Sequence, residues 1–218
     1  MSIQHLPDNL FSVNDEFAKF LGIDPDFDTS CRLLLVVGPN ACGKSFLRRI
    51  ISMNLHPTKG PQTELIHLSQ QDRSSAGGGE KPFIYGSEDW ESTGYITART
   101  FWTGMKTSRG RNKSHVLLWD EPEIGMGEEL QLGTSQWLAK QLTDWPKHLL
   151  GVVLLTHSRI FVENLKDFPE TKFFSFDGHK NPQEWLDRKI LPVQPEEVLS
   201  CGIEKFRTLS AWLNRRKK

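Results

Sequence analysis

Residues 33–45 read Leu-Leu-Leu-Val-Val-Gly-Pro-Asn-Ala-Cys-Gly-Lys-Ser, and this stretch decides the fold. Its first five residues are an unbroken apolar run without the alternation of a half-exposed strand. Such a run is typical of a parallel strand that is buried on both faces. The glycine-containing loop that follows leads into a segment of helical periodicity, residues 46–54. The stretch therefore predicts a strand, a loop and a helix in succession.

The same alternation of strand and helix continues along the chain. Because strands that alternate with helices form right-handed βαβ units, the pattern predicts an α/β fold with a mostly parallel central sheet flanked by helices. The predicted strands are 33–37, 64–68, 115–119, 152–155 and 172–176, and the predicted helices are 46–54, 93–107, 128–142, 159–165 and one from 196.

We expect a single domain over residues 1–218, with helical segments at 1–30 and 180–218. In the last helix, five apolar residues recur at helical spacing and predict a face that points into the core. These residues are Leu199, Ile203, Phe206, Leu209 and Leu213.

Composition narrows the class of protein. Of the 218 residues, 37% are hydrophobic and 25% are charged, which is enough for a packed core. Lys+Arg and Asp+Glu are both 27, so the overall charge provides no attraction to nucleic acid or to an anionic membrane. Cys31, Cys42 and Cys201 are odd in number and widely spaced, which predicts free thiols in a reducing compartment. Without an apolar run of about 20 residues or a signal-like start, we expect a cytoplasmic protein with no membrane partner.

Residues 38–45 fit the pattern GxxxxGK[ST] at every fixed position, between a predicted strand and a predicted helix. Glycines in such a loop let backbone N–H groups face phosphate oxygens at a helix N-terminus. Lys44 can then bridge the β- and γ-phosphates, and Ser45 can place its hydroxyl on Mg²⁺. We therefore expect ATP and Mg²⁺ as ligands. The expected contacts are Gly38, Pro39, Asn40, Ala41, Cys42, Gly43, Lys44, Ser45 and Phe46.

Two acids, Asp120 and Glu121, end the third predicted strand and are followed by Pro122. An acid at this end of a strand lies beside the phosphate loop, where Asp120 can help to hold Mg²⁺. Glu121 is then the candidate general base for a water that attacks the γ-phosphate. The alternative is that the two acids only cap the next helix.

With these motifs, the chain resembles the ABC ATPase family over about residues 33–160. The resemblance is carried by the phosphate loop 38–45, by Asp120-Glu-Pro-Glu123 and by Leu154-Leu-Thr-His157. Residues 120–127, Asp-Glu-Pro-Glu-Ile-Gly-Met-Gly, are most similar to the non-transporter branch of DNA-repair, chromosome-maintenance and overcoming-lysogenization-defect ATPases. The resemblance implies a P-loop ATPase that closes as a dimer around ATP.

The resemblance also implies roles for residues between and after these motifs. His157 would contact the γ-phosphate as the switch residue, although a capping or structural histidine is the alternative. Gln71, or its neighbour Gln70, would touch Mg²⁺ and the attacking water. Ser92 and Gly94 would form a degenerate signature motif that binds the ATP of a second copy. Their alternative role is an ordinary helix N-cap.

The function that these features favour is hydrolysis of MgATP by a homodimer that regulates or powers a separate protein effector. A nuclease or another DNA-acting protein in antiviral defence or repair is the expected kind of effector. The alternatives are a P-loop kinase acting on a small substrate and an ATP-binding scaffold with little turnover. A nucleic-acid partner is open as well, through the basic cluster Lys106, Arg109, Arg111 and Lys113. Candidates for exposed partner contacts are Trp90, Trp102 and Trp185.

Overall fold

The computed structural model of the chain describes residues 5–13, 18–19, 22–24, 26–55, 63–69 and 92–216. Strands and helices alternate through this part of the chain, as the sequence predicts. In chain order they are β1 Leu33–Val37, α1 Lys44–Leu55, β2 Glu64–Ser69, α2 Thr93–Gly110, β3 His115–Asp120, α3 Glu128–Thr143, β4 Leu149–Thr156, α4 Arg159–Leu165, β5 Thr171–Ser175, α5 Pro182–Asp187 and α6 Pro195–Arg216.

The five strands form one parallel sheet in the order β2-β3-β4-β1-β5. The connection from β1 to β2 runs across the sheet in one direction, and the later connections run in the other. Because such crossovers are right-handed, α1 belongs on one face and α2, α3 and α4 belong on the other. The prediction of an α/β fold with a parallel sheet flanked by helices is confirmed.

The buried side chains divide in the way that this topology requires. On one face, Leu47 and Ile51 of α1 are fully buried against the sheet. On the other face, Phe101 of α2, Leu138 of α3 and Phe161 of α4 are buried together. The sheet is thus covered on both faces, which explains the apolar runs in its central strands.

The helical segment expected at residues 1–30 is wrong for most of its described part. Only residues 18–19 are helical, whereas residues 8–11 form a turn. Leu6 and Phe11 are buried on the α1 side of the sheet, and Leu6 N–H donates to the carbonyl of Cys31 at 2.9 Å. The Asn54 side-chain amide donates to the carbonyl of Leu10 at 2.9 Å. These partners satisfy backbone groups of the segment without helical hydrogen bonds.

The inward face predicted for the last helix is wrong where the structure describes it. Leu199, Ile203 and Phe206 are all exposed. The helix instead turns Cys201 and Lys205 towards the loop between β1 and α1. Helical spacing indicates that one face is apolar, but it does not indicate what covers that face.

Strand register brings the carboxyl ends of four strands to one edge of the sheet. Val37 of β1 pairs with Thr156 of β4, and Asp120 of β3 pairs with Leu155 of β4 and with Ser69 of β2. The residues that follow these strand ends therefore emerge side by side. This edge is where parallel sheets bind ligands.

Candidate functional site

Two glycines of the loop between β1 and α1 are required for different reasons, one for its backbone conformation and one for lack of space. Gly43 has φ +121°, in the left-handed region that favours glycine. A Cβ on Gly38 would lie 2.8 Å from Cys42 Sγ and from Phe176 Cβ, so a side chain does not fit there. At the helix start, Phe46 N–H donates to the Gly43 carbonyl at 2.9 Å. The motif glycines thus shape a tight loop that opens directly into α1.

Lys44 places a buried positive charge against this loop. Its side chain is only 6% exposed. Its ammonium donates to the carbonyls of Gly38 and Pro39, both at 3.2 Å. Neutral carbonyls solvate a cation without cancelling its charge, so these two contacts leave the ammonium able to attract an anion. An anion at this point gains both the ammonium and the helix N-terminus.

Glu121 and His157 meet Lys44 at the same point, although they come from different strand ends. His157 Nε2 lies 2.7 Å from Glu121 Oε1, and His157 Nδ1 lies 3.4 Å from Lys44 Nζ. The ammonium of Lys44 is 3.7 Å from the same Glu121 oxygen. Because an ammonium only donates, the tautomer that satisfies both contacts carries its proton on Nε2 and donates it to Glu121. The three side chains form one closed cluster.

The electrostatics of this cluster keep Glu121 ionised. The hydrogen bond from His157 is the main reason that the pKa of Glu121 lies below its usual value, and the positive charge of Lys44 adds to the effect. Glu121 also has φ +51°, which is uncommon for a residue other than glycine. The carboxylate is therefore held in a defined place, where it can accept a proton once His157 moves away.

Asp120 has the property expected of a metal-binding carboxylate. Its side chain is buried, and its Oδ2 has no hydrogen-bond partner in the described structure. The nearest basic group there is His67, whose Nε2 lies 3.9 Å away. A buried carboxylate oxygen without a donor is costly unless a cation compensates for it. Asp120 therefore fits a role in holding Mg²⁺.

The described residues contain no group of three or more His, Cys, Asp or Glu side chains that would hold a metal alone. The Ser45 side chain, the second expected metal ligand, lies outside the described part of the structure, as do Gln70 and Gln71.

Glu123 is a site residue to which the sequence assigned no role. Its Oε1 accepts from the backbone N–H of His157 at 2.5 Å, and its Oε2 accepts from the Thr156 hydroxyl at 2.8 Å. Burial is the main cause of the raised pKa of Glu123. The side chain links the turn after β3 to the end of β4 and so fixes the backbone that carries His157.

Ser92 and Gly94 lie at the N-terminus of α2. Ser92 is the N-cap, and its hydroxyl accepts from Tyr95 N–H at 3.3 Å. A Cβ on Gly94 would lie 3.0 Å from Leu130 Cδ2, so packing against α3 explains this glycine. Within the described residues, neither makes a hydrogen bond to the phosphate loop. The N-cap role is therefore present, and contact with the ATP of a second copy stays a prediction.

The N-terminus of α2 is also attached to the loop after the acid pair. The Thr93 hydroxyl donates to the carbonyl of Gly125 at 3.2 Å, and the Thr97 hydroxyl lies between the carbonyls of Thr93 and Ile124, at 2.8 Å and 3.1 Å. Gly125 has φ +81°. These contacts hold the start of α2 against the loop that follows Glu121.

Three of the four cations of the basic cluster form ion pairs, and two carboxylates serve all three. Arg109 pairs with Asp144 at 2.7 Å, and Arg111 and Lys113 both pair with Glu64. Lys106 lies over the ring of Trp102, 5.0 Å from its centroid. The other candidates for partner contacts differ in exposure, since Trp102 is exposed, Trp185 is buried and Trp90 is outside the described residues. The three cysteines are free thiols, as predicted.

A comparison with protein-family models gave no match for this chain, and a comparison with curated proteins gave none either. The class that the fold defines is therefore an α/β protein with an all-parallel five-stranded sheet flanked by helices. Among the described residues, no helix combines the length and the apolar character that crossing a membrane requires.

Proposed function

We propose that the chain is a P-loop ATPase of the ABC-like kind, which binds MgATP and hydrolyses it. One observation carries the proposal: the buried Lys44 lies 3.4 Å from His157 and 3.7 Å from Glu121. These residues are 113 and 77 positions away from Lys44 in the chain, yet they meet at one phosphate-type loop. A cation, a carboxylate and an imidazole are the groups that hydrolysis of a phosphoanhydride needs.

In this proposal the loop 38–45 binds the phosphates through its backbone N–H groups and through Lys44. Asp120 and Ser45 hold Mg²⁺, and Gln71 completes its surroundings. Mg²⁺, when bound, neutralises the charge that develops on the β- and γ-phosphate oxygens. The unpaired buried oxygen of Asp120 supports its part in this arrangement.

In this proposal, ATP opens the closed cluster of Lys44, Glu121 and His157. The γ-phosphate offers stronger acceptors than Glu121 does, so Lys44 and His157 turn to it and release the carboxylate. Glu121 then takes a proton from water as the water oxygen bonds to the γ-phosphorus. The bond from phosphorus to the bridging oxygen breaks, which gives ADP and inorganic phosphate.

The proposed assembly is a homodimer with ATP between the copies, acting on a separate effector such as a nuclease or DNA-acting protein. Ser92 and Gly94 of one copy then face the phosphate loop of the other. Within one copy, the hydrogen bond from Thr93 to Gly125 connects this helix start to the loop after Glu121. Antiviral defence or repair is the setting in which such a module would serve.

Titration calorimetry with ATP and Mg²⁺ tests the binding site. Lys44→Ala is expected to weaken ATP binding at least about tenfold, because the loop loses its charged donor to phosphate. Lys140→Ala is the matched control, since this lysine is exposed on α3 and is not part of the phosphate site. Release of inorganic phosphate from ATP tests turnover in the same samples.

Two results would contradict the proposal. One is a wild-type chain that binds no ATP. The other is a folded Lys44→Ala variant, with a circular dichroism spectrum like that of the wild type, that binds ATP equally well.

A further inference from the structure

An exposed apolar surface runs along α6 and the segment before it. Among the described residues, six of the eleven large apolar side chains that are exposed lie between residues 190 and 206. Three of them, Leu199, Ile203 and Phe206, follow at intervals of four and three, which places them on one face of the helix. We call these three residues the α6 stripe. Exposed apolar surface of this extent marks an interaction site.

A groove of complementary character lies between α2 and α3, with a volume of about 560 Å³. Tyr95, Arg99 and Trp102 line its α2 side, and Leu130 and Trp137 are among the residues on its α3 side. In the described part of the chain its lining includes one cation, Arg99, and no carboxylate. A groove of apolar and aromatic side chains between two helices is suited to the apolar face of a third helix.

We propose that the α6 stripe of one copy of the chain docks into the α2–α3 groove of a second copy. The dimensions agree, because Leu199 to Phe206 and Tyr95 to Trp102 each span seven residue steps, or about 10 Å of helix. The charges agree as well. Glu196 stands three residues before Leu199 on the same face, and the charged residue in the described lining of the groove is the cation Arg99.

The positions of the two surfaces support this pairing, which rests on the proposed function. The opposite side of α6 contacts the phosphate loop, where Lys205 Nζ donates to the carbonyl of Cys42 at 2.6 Å. The groove begins at Tyr95, whose N–H is bonded to Ser92. A dimer that brings Ser92 of one copy to the phosphate loop of the other brings the groove to α6. Docking would then involve the helix that directly contacts the proposed phosphate-binding loop.

The same groove is less suited to nucleic acid than to a helix. Its described lining has one cation, Arg99, whereas aromatic side chains make up much of its surface. Binding of a nucleic-acid backbone depends on several cations that contact phosphates. The apolar stripe of a helix from a second copy would pack against the aromatic surface of the groove.

Sedimentation equilibrium of the full chain, with and without MgATP, tests the docking. Phe206→Glu removes the end of the stripe, and Trp102→Glu removes the wall of the groove. Each is expected to weaken self-association at least about tenfold, since both residues would be central anchors. Met53→Glu is the control, because Met53 is 51% exposed on α1 and belongs to neither surface.

Mixing the two variants gives the decisive result. A mixed pair has one contact in which both surfaces are altered and one in which both are intact. We therefore expect the mixture to associate more tightly than either variant alone. Pairing of α6 with α6, or of groove with groove, gives no such recovery and would overturn the proposal. A single-stranded oligonucleotide that shields Trp102 from a fluorescence quencher, in a chain that does not self-associate, would overturn it too.

Failure of this inference is distinguishable from failure of the proposed function. Wild-type chain that binds ATP, with both variants associating as the wild type does, would contradict the docking alone. Wild-type chain that binds no ATP would contradict the proposed function, and the mixing experiment without nucleotide then decides whether stripe and groove meet.

Discussion

Removal of the Glu123 carboxylate should destabilise the protein, because two neighbouring groups lose their acceptor. The hydroxyl of Thr156, a fully buried residue, and the backbone N–H of His157 both donate to it. Each buried donor left without a partner costs about 1–3 kcal/mol. Since Glu123 itself is partly exposed and water can replace some of the contact, we expect Glu123→Ala to lower the free energy of unfolding by about 2–4 kcal/mol.

Urea denaturation followed by circular dichroism measures this free energy, provided that the slope with urea is unchanged. Glu123→Gln keeps an acceptor oxygen for His157 N–H and should lose about half as much. The control is Glu163→Ala, which removes an exposed acid paired with Lys166 and should change the free energy by less than about 0.5 kcal/mol. If Glu123→Ala is as stable as Glu163→Ala, the proposed link between the two strand ends is wrong.

Two further predictions concern the same edge of the sheet. Because the pKa of Glu121 is lowered by its bond from His157, its stabilising contribution is present above its unfolded-state pKa of about 4.3 and is lost as the pH falls through the lower folded-state value. Unfolding free energies at neutral and at acidic pH should thus show the difference between wild type and Glu121→Gln shrinking on acidification; a constant difference would refute the coupling. Gly38→Ala would place a Cβ 2.8 Å from Phe176 Cβ, and should lower the unfolding free energy by about 1–3 kcal/mol in urea titrations, whereas an unchanged midpoint would show that the loop has room.

The sequence predicted the central strands well, because burial on both faces leaves an unmistakable apolar run. β1 has the predicted bounds, and β4 is longer than predicted by three residues at its start and one at its end. The short helix α5 was missed as a separate element, since six residues are too few to show a helical period. A local signal was present, because Asn181 caps the N–H of Glu184 at 2.9 Å and Pro182 follows the cap.

The sequence predicted the site residues that belong to a recognisable motif. It did not predict the residue whose role depends on a contact between neighbouring strands. Lys44 and Glu121 follow from residue patterns, and the register of β1, β3 and β4 explains why they meet His157. The contribution of Glu123 depends on β3 lying beside β4, which no spacing along the chain reveals. The exposed face of α6 shows the same limit, because periodicity describes a helix and not its surroundings.

Single-turnover hydrolysis of ATP by Glu121→Gln, compared with wild type, tests the catalytic assignment most directly. The amide keeps the shape of the side chain but cannot accept the proton of water, so the rate should fall by about 10²–10⁴-fold while ATP affinity is retained. Asp144→Asn, which alters an exposed carboxylate on another part of the surface, should hydrolyse ATP at the wild-type rate. Hydrolysis by Glu121→Gln at the wild-type rate would contradict the assignment of this carboxylate as the general base.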